Sequence, residues 1–211
     1  MIIVHHLNNS RSQRILWMLE ELGLAYEIVA HTRDAVTRLA PEALKAVHPL
    51  GKSPVIVDDG RVVIESGAIL EYLIERHGQG RFAPDRASDD WVDYVQWLHF
   101  AEGSAMTPLL LSLYVSRLGE AGAPLWPRLQ SEIVNHLGYI DRAVAGRLFL
   151  VGEDLTAADI QIAFVLEAAA SSGALAAFPE AARYLAGLQS REAYKRALTR
   201  GGPYELGANR A

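Results

Sequence analysis

The stretch HHLNNSRSQRILWMLEELGL, residues 5–24, places a polar cluster between an apolar strand and an amphipathic helix. The polar cluster is residues 8–12, NNSRS. Ser10 lies where the helical spacing of apolar residues begins, so it could simply be an N-cap. The same helix start also carries backbone N–H groups without helical partners and a positive dipole end, which favour an anion such as a thiolate. Both roles remain open for Ser10 on this pattern.

The residues around this stretch predict a small α/β domain over residues 1–78. The runs IIVHH and YEIVA predict strands on either side of the helix SQRILWMLEELG. A short helix, PEALKAV, follows, and the run SPVIVDDGRVVIE then contains Asp59-Gly60, which predicts a hairpin between two antiparallel strands. The segment SGAILEYLIERHG closes the domain as a helix, with Ser66 as its predicted N-cap and Gly78 as its stop. The predicted order is β-α-β-α-β-β-α.

Beyond residue 78 the pattern changes to helices alone. Residues 79–87, QGRFAPDRA, are rich in Gly, Pro and charge, which predicts a linker. Residues 88–211 show helical patterns throughout, and Pro108 should kink or break the first of these helices. The last helix is predicted over PEAARYLAGLQSREAYKRALTR. The predicted fold class is therefore an α/β domain followed by an all-helical domain over 88–211.

Composition limits the classes of function. The formal net charge of −5 argues against a general attraction to nucleic acid or to anionic membranes. The chain has no cysteine, so thiol chemistry must use a thiol that arrives with a ligand. The first residues, MIIVHHLNN, do not resemble a leader peptide, and no apolar run approaches the roughly 20 residues of a membrane span. We therefore expect a cytoplasmic protein.

Two further points in the first domain carry polar chemistry. In GKSPVIV, Pro54 begins a strand, and a cis Ser53-Pro54 bond would expose the backbone of Ser53 to a peptide-like ligand. An ordinary trans proline at a strand entrance explains the same pattern, and Lys52 is either a carboxylate partner or a solvated lysine. At Glu65-Ser66 a hydroxyl and a helix start suit a carboxylate, while the acid suits an ammonium group. A plain N-cap with an acidic neighbour is the alternative.

In their order and spacing, four stretches of this chain resemble the cytosolic glutathione transferases, of the serine type. They are HHLNNSRSQRILWMLEELGLAYE, HPLGKSPVI, ESGAILEYL and LTAADI. The resemblance implies a thioredoxin-like glutathione-binding domain, an all-helical domain that holds the electrophile, a homodimer and a role in detoxification. It also implies that glutathione is the co-substrate and that no metal is needed.

The resemblance assigns roles to individual residues. Ser10 would activate the glutathione sulfur, Glu65 and Ser66 would hold the γ-glutamyl end, and Pro54 would be cis. Ser53 would pair through its backbone with the cysteinyl part, and Lys52 would lie near the glycyl carboxylate. Which of Ser10, Asn8, Asn9 and Ser12 faces the sulfur is left open.

The reaction that the resemblance implies is attack of the thiolate on a small apolar electrophile. A hydroxyl donor and a helix start would help, because a free thiol is mostly protonated at neutral pH. Met106, Leu110 and Tyr114, four residues apart along one helix face, are candidate pocket residues, although such a stripe is more often core. A glutathione-dependent isomerase, reductase or dehalogenase would use the same thiolate, and a non-catalytic binding module is a further alternative. In the homodimer, Glu102 could reach the neighbour's glutathione.

Two other features are assigned to folding. Thr156 and Asp159 have the spacing of a capping box, so the loss of Asp159 should cost stability, by roughly 0.5 to 2 kcal/mol. His5 and His6 are adjacent on a strand and point to opposite faces, so they should not share a metal ion.

Overall fold

The computed structural model describes residues 1–37 and 39–206 of the chain. Its contacts divide these residues into two compact units. The first unit comprises Met1–Ala83 together with the chain from Gln189 onward, and the second comprises Pro84–Leu188. The predicted domain bounds, 1–78 and 88–211, stay a prediction, and they do not anticipate that the last helix joins the first unit.

The first unit contains a four-stranded mixed sheet. Its elements are β1 (Ile2–Leu7), α1 (Ser12–Leu22), β2 (Tyr26–His31), α2 (Ala43–Val47), β3 (Val55–Asp58), β4 (Arg61–Ile64), α3 (Ser66–Leu73), a π-helical turn (Ile74–Gly78) and the final helix, α9 (Glu192–Gly201). The strand order is β2-β1-β3-β4, with β1 parallel to β2 and antiparallel to β3. The predicted order of strands and helices over 1–78 is confirmed, and so is the fold class.

The hairpin between β3 and β4 forms where the sequence predicts it. Asp59 and Gly60 connect the two strands with φ values of 46° and 84°, the left-handed conformations that a two-residue hairpin turn requires. Asp58 pairs with Arg61 next to this turn, and Val55 pairs with Ile64 at the other end. The turn therefore fixes the register that brings the ends of β3 and β4 together.

Helix α9 packs closely against α1. A Cβ atom built on Gly201 would lie 2.8 Å from Leu16 Cδ1 and 2.9 Å from Gln13 Oε1, so the approach leaves no room for a side chain. At the other end of α1, Glu20 accepts hydrogen bonds from Arg196 Nε at 2.8 Å and from Arg200 Nη1 at 3.1 Å. Both ends of α1 are thus held by the last helix of the chain.

Helices are the only regular secondary structure among the described residues of the second unit. Its elements are α4 (Asp90–Phe100), a π-helical segment (Ala101–Ala105), α5 (Met106–Val115), a 3₁₀ segment (Ser116–Leu125), α6 (Trp126–Ala143), α7 (Ala157–Ser171), a 3₁₀ turn (Ala174–Ala177) and α8 (Pro179–Gln189). The interruption predicted at Pro108 occurs just before it, as the π-helical segment. Pro108 itself lies in the first turn of α5, where its missing N–H costs little.

The last predicted helix is wrong as a single element. Arg191 adopts an extended conformation, with φ −64° and ψ 137°, and separates α8 from α9. An extended residue cannot continue the helical hydrogen bonds, so the two helices are independent. Within the described ranges, the structure contains no helix that is both long and apolar enough to cross a membrane.

Candidate functional site

Strand register brings three polar points of the first unit to one edge of the sheet. His5 of β1 pairs with Val55 of β3, and Val55 pairs with Ile64 of β4. The carboxyl end of β1, the beginning of β3 and the carboxyl end of β4 therefore lie side by side. The polar cluster, Ser53 and the Glu65-Ser66 pair each follow or precede one of these strand ends, so the topology groups them at the same edge.

Ser10 is almost completely buried, with 6% of its surface exposed. Its Oγ accepts a hydrogen bond from the backbone N–H of Ser12 at 3.1 Å and lies 2.8 Å from Ser12 Oγ. The α-helix begins at Ser12, so Ser10 lies before the helix and accepts the N–H of its first residue. Capping and a role toward a ligand are therefore compatible for this hydroxyl.

Ser12 and His6 form a buried connection behind Ser10. Ser12 Oγ lies 2.8 Å from His6 Nδ1, and it also accepts from the N–H of Leu7 at 3.3 Å. Burial lowers the pKa of His6 more than a hydrogen bond with the backbone of Gly201 raises it, so the ring is neutral at neutral pH. Sequence reasoning considered His6 only as a metal ligand and missed this contact. The signal available was its position on the core-facing side of β1.

The two asparagines of the polar cluster are engaged elsewhere. Asn9 has a φ of 51°, and its Oδ1 accepts the N–H of Glu205 at 2.7 Å. Arg33 donates to the carbonyls of Asn8 and Asn9 at 3.2 and 3.1 Å and so holds the loop from the side of β2. The other hydroxyl of the cluster, Ser12, is fully buried against His6, and the role of Ser10 at the sulfur stays a prediction.

The Glu65-Ser66 pair marks the start of α3. Ser66 is the first residue of the helix, so the prediction of Ser66 as N-cap is wrong. Glu65 occupies the cap position with φ 66°, a left-handed conformation that turns the chain sharply out of β4. Ser66 Oγ is buried and accepts from Arg14 Nη1 at 3.0 Å, which connects α3 to α1. The Glu65 side chain is exposed and available to a ligand.

The segment before β3 shows the predicted backbone. The Ser53-Pro54 bond is cis, as the resemblance implied. Ser53 Oγ donates to the carbonyl of His5 at 2.9 Å, so this segment is held against the end of β1. Lys52 is exposed and Pro54 is buried. The segment therefore presents its lysine to solvent while its backbone is fixed to the sheet.

Comparison with known proteins identifies the family. The family model described as "Glutathione S-transferase, N-terminal domain" matches residues 4–81. Glutathione S-transferase 3 of Schizosaccharomyces pombe is 40% identical over 183 residues, which are 80% of this chain and 74% of that protein. The chain belongs to the glutathione S-transferase family. The first unit therefore contains the N-terminal domain of that family, and the resemblance stated from the sequence is confirmed.

Solved structures of family members agree over the whole chain. A glutathione S-transferase from Actinobacillus pleuropneumoniae is 35% identical, with a TM-score of 0.90 that covers 98% of this chain and 95% of that one. A family member from Pseudomonas fluorescens, solved with two glutathione bound, is 31% identical, with a TM-score of 0.76 over 93% of this chain and 92% of that one. Elongation factor 1-gamma of Rattus norvegicus is also similar, at 32% identity over 64% of this chain, a match that spans 30% of that protein.

In this family member, the three predicted pocket residues differ in exposure. Met106 is buried, Leu110 is half-buried, and Tyr114 is 52% exposed. A groove of about 670 Å³ in the same unit is lined by other residues, mainly of α4, and by Tyr139 of α6. None of the three predicted residues lines this groove. Their assignment to the electrophile stays a prediction.

The capping box at α7 is confirmed. Asp159 is fully buried and accepts from the N–H of Thr156 at 2.7 Å, from Thr156 Oγ1 at 2.9 Å and from the N–H of Leu150 at 2.8 Å. The hydroxyl of Tyr184 donates to the same carboxylate. Burial raises the pKa of Asp159, and these four donors oppose that rise.

His5 and His6 do not converge, since the His5 ring contacts His31 at 3.1 Å. Over residues 1–37 and 39–206 no group of three metal-ligating side chains occurs.

Proposed function

We propose that this family member is a glutathione transferase in which the Ser10 hydroxyl stabilises the glutathione thiolate for attack on a small apolar electrophile. The observation that carries this proposal is the grouping of Ser10, Ser53 and Glu65-Ser66 at one edge of the sheet, given by the pairing of His5, Val55 and Ile64. A single tripeptide along that edge would use all three points. An N-cap alone would explain only Ser10.

Each part of glutathione has a matching group at this edge. The α-amino group of the γ-glutamyl residue suits the exposed carboxylate of Glu65, and its carboxylate suits Ser66 and the N-terminus of α3. The cysteinyl part suits the backbone of Ser53, in the manner of an added strand. Lys52, which is exposed, suits the glycyl carboxylate. The sulfur would then lie at the polar cluster, where the N-terminus of α1 favours negative charge.

The remaining predictions belong to this proposal. Met106, Leu110 and Tyr114 are the candidate contacts of the electrophile, and a substitution at Tyr114 should change the preference among electrophiles. The protein is proposed to act as a homodimer in the cytoplasm, with a role in detoxification. Light scattering at micromolar concentration should give twice the chain mass of 23.1 kDa.

The test is an ultraviolet difference titration of bound glutathione across pH, in the natural protein and in Ser10→Ala, followed by conjugation of an activated aryl halide. The proposal expects a thiol pKa below that of free glutathione, a rise of about one unit in Ser10→Ala, and a matching loss of conjugation. Glutathione binding with an unshifted thiol pKa would contradict it. That result would favour a binding module, the role that the likeness to elongation factor 1-gamma makes the second candidate.

A further inference from the structure

A continuous chain of hydrogen-bonding groups leads from Ser10 into the core of the first unit. Ser10 Oγ lies 2.8 Å from Ser12 Oγ, and Ser12 Oγ lies 2.8 Å from His6 Nδ1. The His6 ring also lies close to Gly201, at the end of α9, where a Cβ atom built on the glycine would be 3.4 Å from His6 Cε1. All three side chains are buried. We call this chain the Ser10–His6 relay.

The direction of each proton in the relay follows from the tautomer of His6. We assign the proton of the neutral ring to Nε2, so that Nδ1 accepts from Ser12. Ser12 must then donate its only proton to Nδ1, which is nearer than its other acceptor, the Leu7 carbonyl at 3.2 Å. Ser10 must in turn donate to Ser12. In the free protein the Ser10 hydroxyl therefore points inward, and its oxygen faces the ligand with a lone pair.

This direction conflicts with the role of Ser10 as a donor to sulfur, unless the relay reverses. We propose that His6 takes up, through Ser10 and Ser12, the proton that the glutathione thiol loses. His6 then acts as a positioning residue, because it determines where the Ser10 proton points without touching the sulfur. This inference rests on the proposed function, since it requires glutathione with its sulfur at Ser10.

The protons balance along the relay. The S–H bond breaks as an O–H bond forms on Ser10, the former Ser10 proton moves to Ser12, and the former Ser12 proton moves to His6 Nδ1. The electron pair of the S–H bond stays on sulfur. A neutral thiol and a neutral imidazole become a thiolate and an imidazolium, and the Ser10 O–H now donates to the thiolate. When the sulfur becomes a thioether, its negative charge is gone, and the imidazolium proton returns through Ser12 and Ser10 to solvent while the leaving group departs with its bonding electron pair.

The surroundings of His6 fit this uptake. A doubly protonated ring can donate to Ser12 through Nδ1, so the reversed relay keeps the contact between His6 and Ser12. The groups that face the ring are Gln13 of α1, which is neutral, Gly201 of α9 and, from β2, His31. His31 lowers the pKa of His6, and burial lowers the pKa of His31 itself, so the charge on His31 opposes a second proton on His6 less at neutral pH than at acid pH. The nearby thiolate would favour the imidazolium, as in thiolate–imidazolium pairs of cysteine enzymes.

The deciding experiment follows the thiol and the His6 ring in the same sample. Ultraviolet absorbance reports the thiolate of bound glutathione, and ¹⁵N NMR of histidine-labelled protein reports whether the His6 ring carries one proton or two. We expect the doubly protonated ring to appear over the same pH range as the bound thiolate. S-methylglutathione, which has no thiol proton, should leave the ring neutral above pH 7.

Two variants test the connection. Ser12→Ala removes the middle of the relay and should raise the pKa of the bound thiol by about one unit, a tenfold loss of thiolate below that pKa. His6→Asn keeps a group that can bond to Ser12 but cannot take up a proton, and it should match Ser12→Ala. His77→Asn, a change of the same type in the π-helical turn after α3, is the control and should leave the thiol pKa unchanged. Circular dichroism checks that each variant is folded, and the NMR measurement needs no variant at all.

The outcomes separate this inference from the proposed function. A lowered thiol pKa with a His6 ring that stays neutral would overturn the relay and leave the transferase in place. The same conclusion would follow if His6→Asn kept the natural thiol pKa. An unshifted thiol pKa in the natural protein would overturn both.

Discussion

The starts of α1 and α7 use the same residue types with different results. At α7, the hydroxyl of Thr156 and the carboxylate of Asp159 bond to each other and to nearby backbone. At α1, Ser10 bonds to Ser12 and so to a histidine that can exist with one proton or two. At α7 the hydrogen bonds of the hydroxyl and the carboxylate have one fixed pattern. At α1 the protons of the two serines and the histidine can be placed in two ways. A hydroxyl at a helix start is therefore a sign of function only when its partners can change.

The largest expected effect is a loss of stability after a substitution at the start of α7. Asp159→Ala should lower the free energy of unfolding by about 3 kcal/mol, more than a cap alone, because buried donors of Thr156, Leu150 and Tyr184 lose their acceptor. Urea denaturation measures this loss. Asp154→Ala, which removes an exposed acid from the same loop, is the control and should change stability little. If Asp159→Ala kept full stability but lost the bound thiolate, the contrast between the two helix starts would be mistaken.

Ser10→Ala should have the opposite effect, a small loss of stability and a large loss of bound thiolate. Its free energy of unfolding should fall by no more than about 1 kcal/mol, the loss of one N–H acceptor at a helix start. The thiolate fraction of bound glutathione should fall about tenfold, as for a pKa rise of one unit. Denaturation and the ultraviolet titration are made on the same preparation. A stability loss as large as that of Asp159→Ala would assign Ser10 to folding.

The sequence predicted the capping box of α7, though not its further donors Leu150 and Tyr184, and it predicted the α1 start only in part. A capping box lies within four residues, and its partners can be identified from spacing alone. The relay behind Ser10 depends on Gly201, which is close to β1 only because α9 packs against α1. No local pattern carries that contact. The break between α8 and α9 was missed for a related reason, since the residues around Arg191 keep a helical pattern and only the packing of α9 requires the turn.

The sheet edge was predictable because short-range rules determine it. Asp59-Gly60 indicated the hairpin, and the hairpin gives the pairing of Val55 with Ile64. The position of Ser66 was off by one residue because the strand ends in a left-handed residue, Glu65, which propensity does not favour for glutamate. Such a conformation is set by the surrounding fold and not by the residue itself.

A third prediction separates binding from activation within the first unit. Glu65→Gln removes a charge but keeps the shape of the side chain, so glutathione should bind more weakly, by several-fold, or about 1 kcal/mol for an exposed charged contact. The pKa of the thiol, once bound, should not change. Calorimetry gives the affinity, and the ultraviolet titration gives the pKa. Glu71→Gln, an exposed acid on the same helix α3, is the control, and an equal effect there would indicate a general charge effect.

The smallest effect is expected at the far end of α1. Burial would raise the pKa of Glu20, but hydrogen bonds from Arg196, Tyr26 and Arg200 together lower it. A carboxyl group with a lowered folded-state pKa stabilises the fold above its unfolded pKa of about 4.3, and this contribution is lost as the pH falls through the folded-state value. Glu20→Gln should therefore cost less than about 1 kcal/mol at pH 7, since the arginines are exposed, and progressively less as the pH falls through the folded-state pKa of Glu20.

The Glu20→Gln variant also tests whether the ion pairs between α1 and α9 affect the thiol at the start of α1. Ser10 and Glu20 lie at opposite ends of one helix, and α9 contacts both ends. If the relay depends only on local hydrogen bonds, Glu20→Gln should leave the thiol pKa unchanged while it lowers the urea midpoint at pH 7. A raised thiol pKa in Glu20→Gln would mean that the ion pairs between α1 and α9 help to hold Gly201 against His6. The start of α1 would then depend on the whole length of the helix, whereas the start of α7 depends on neighbouring residues.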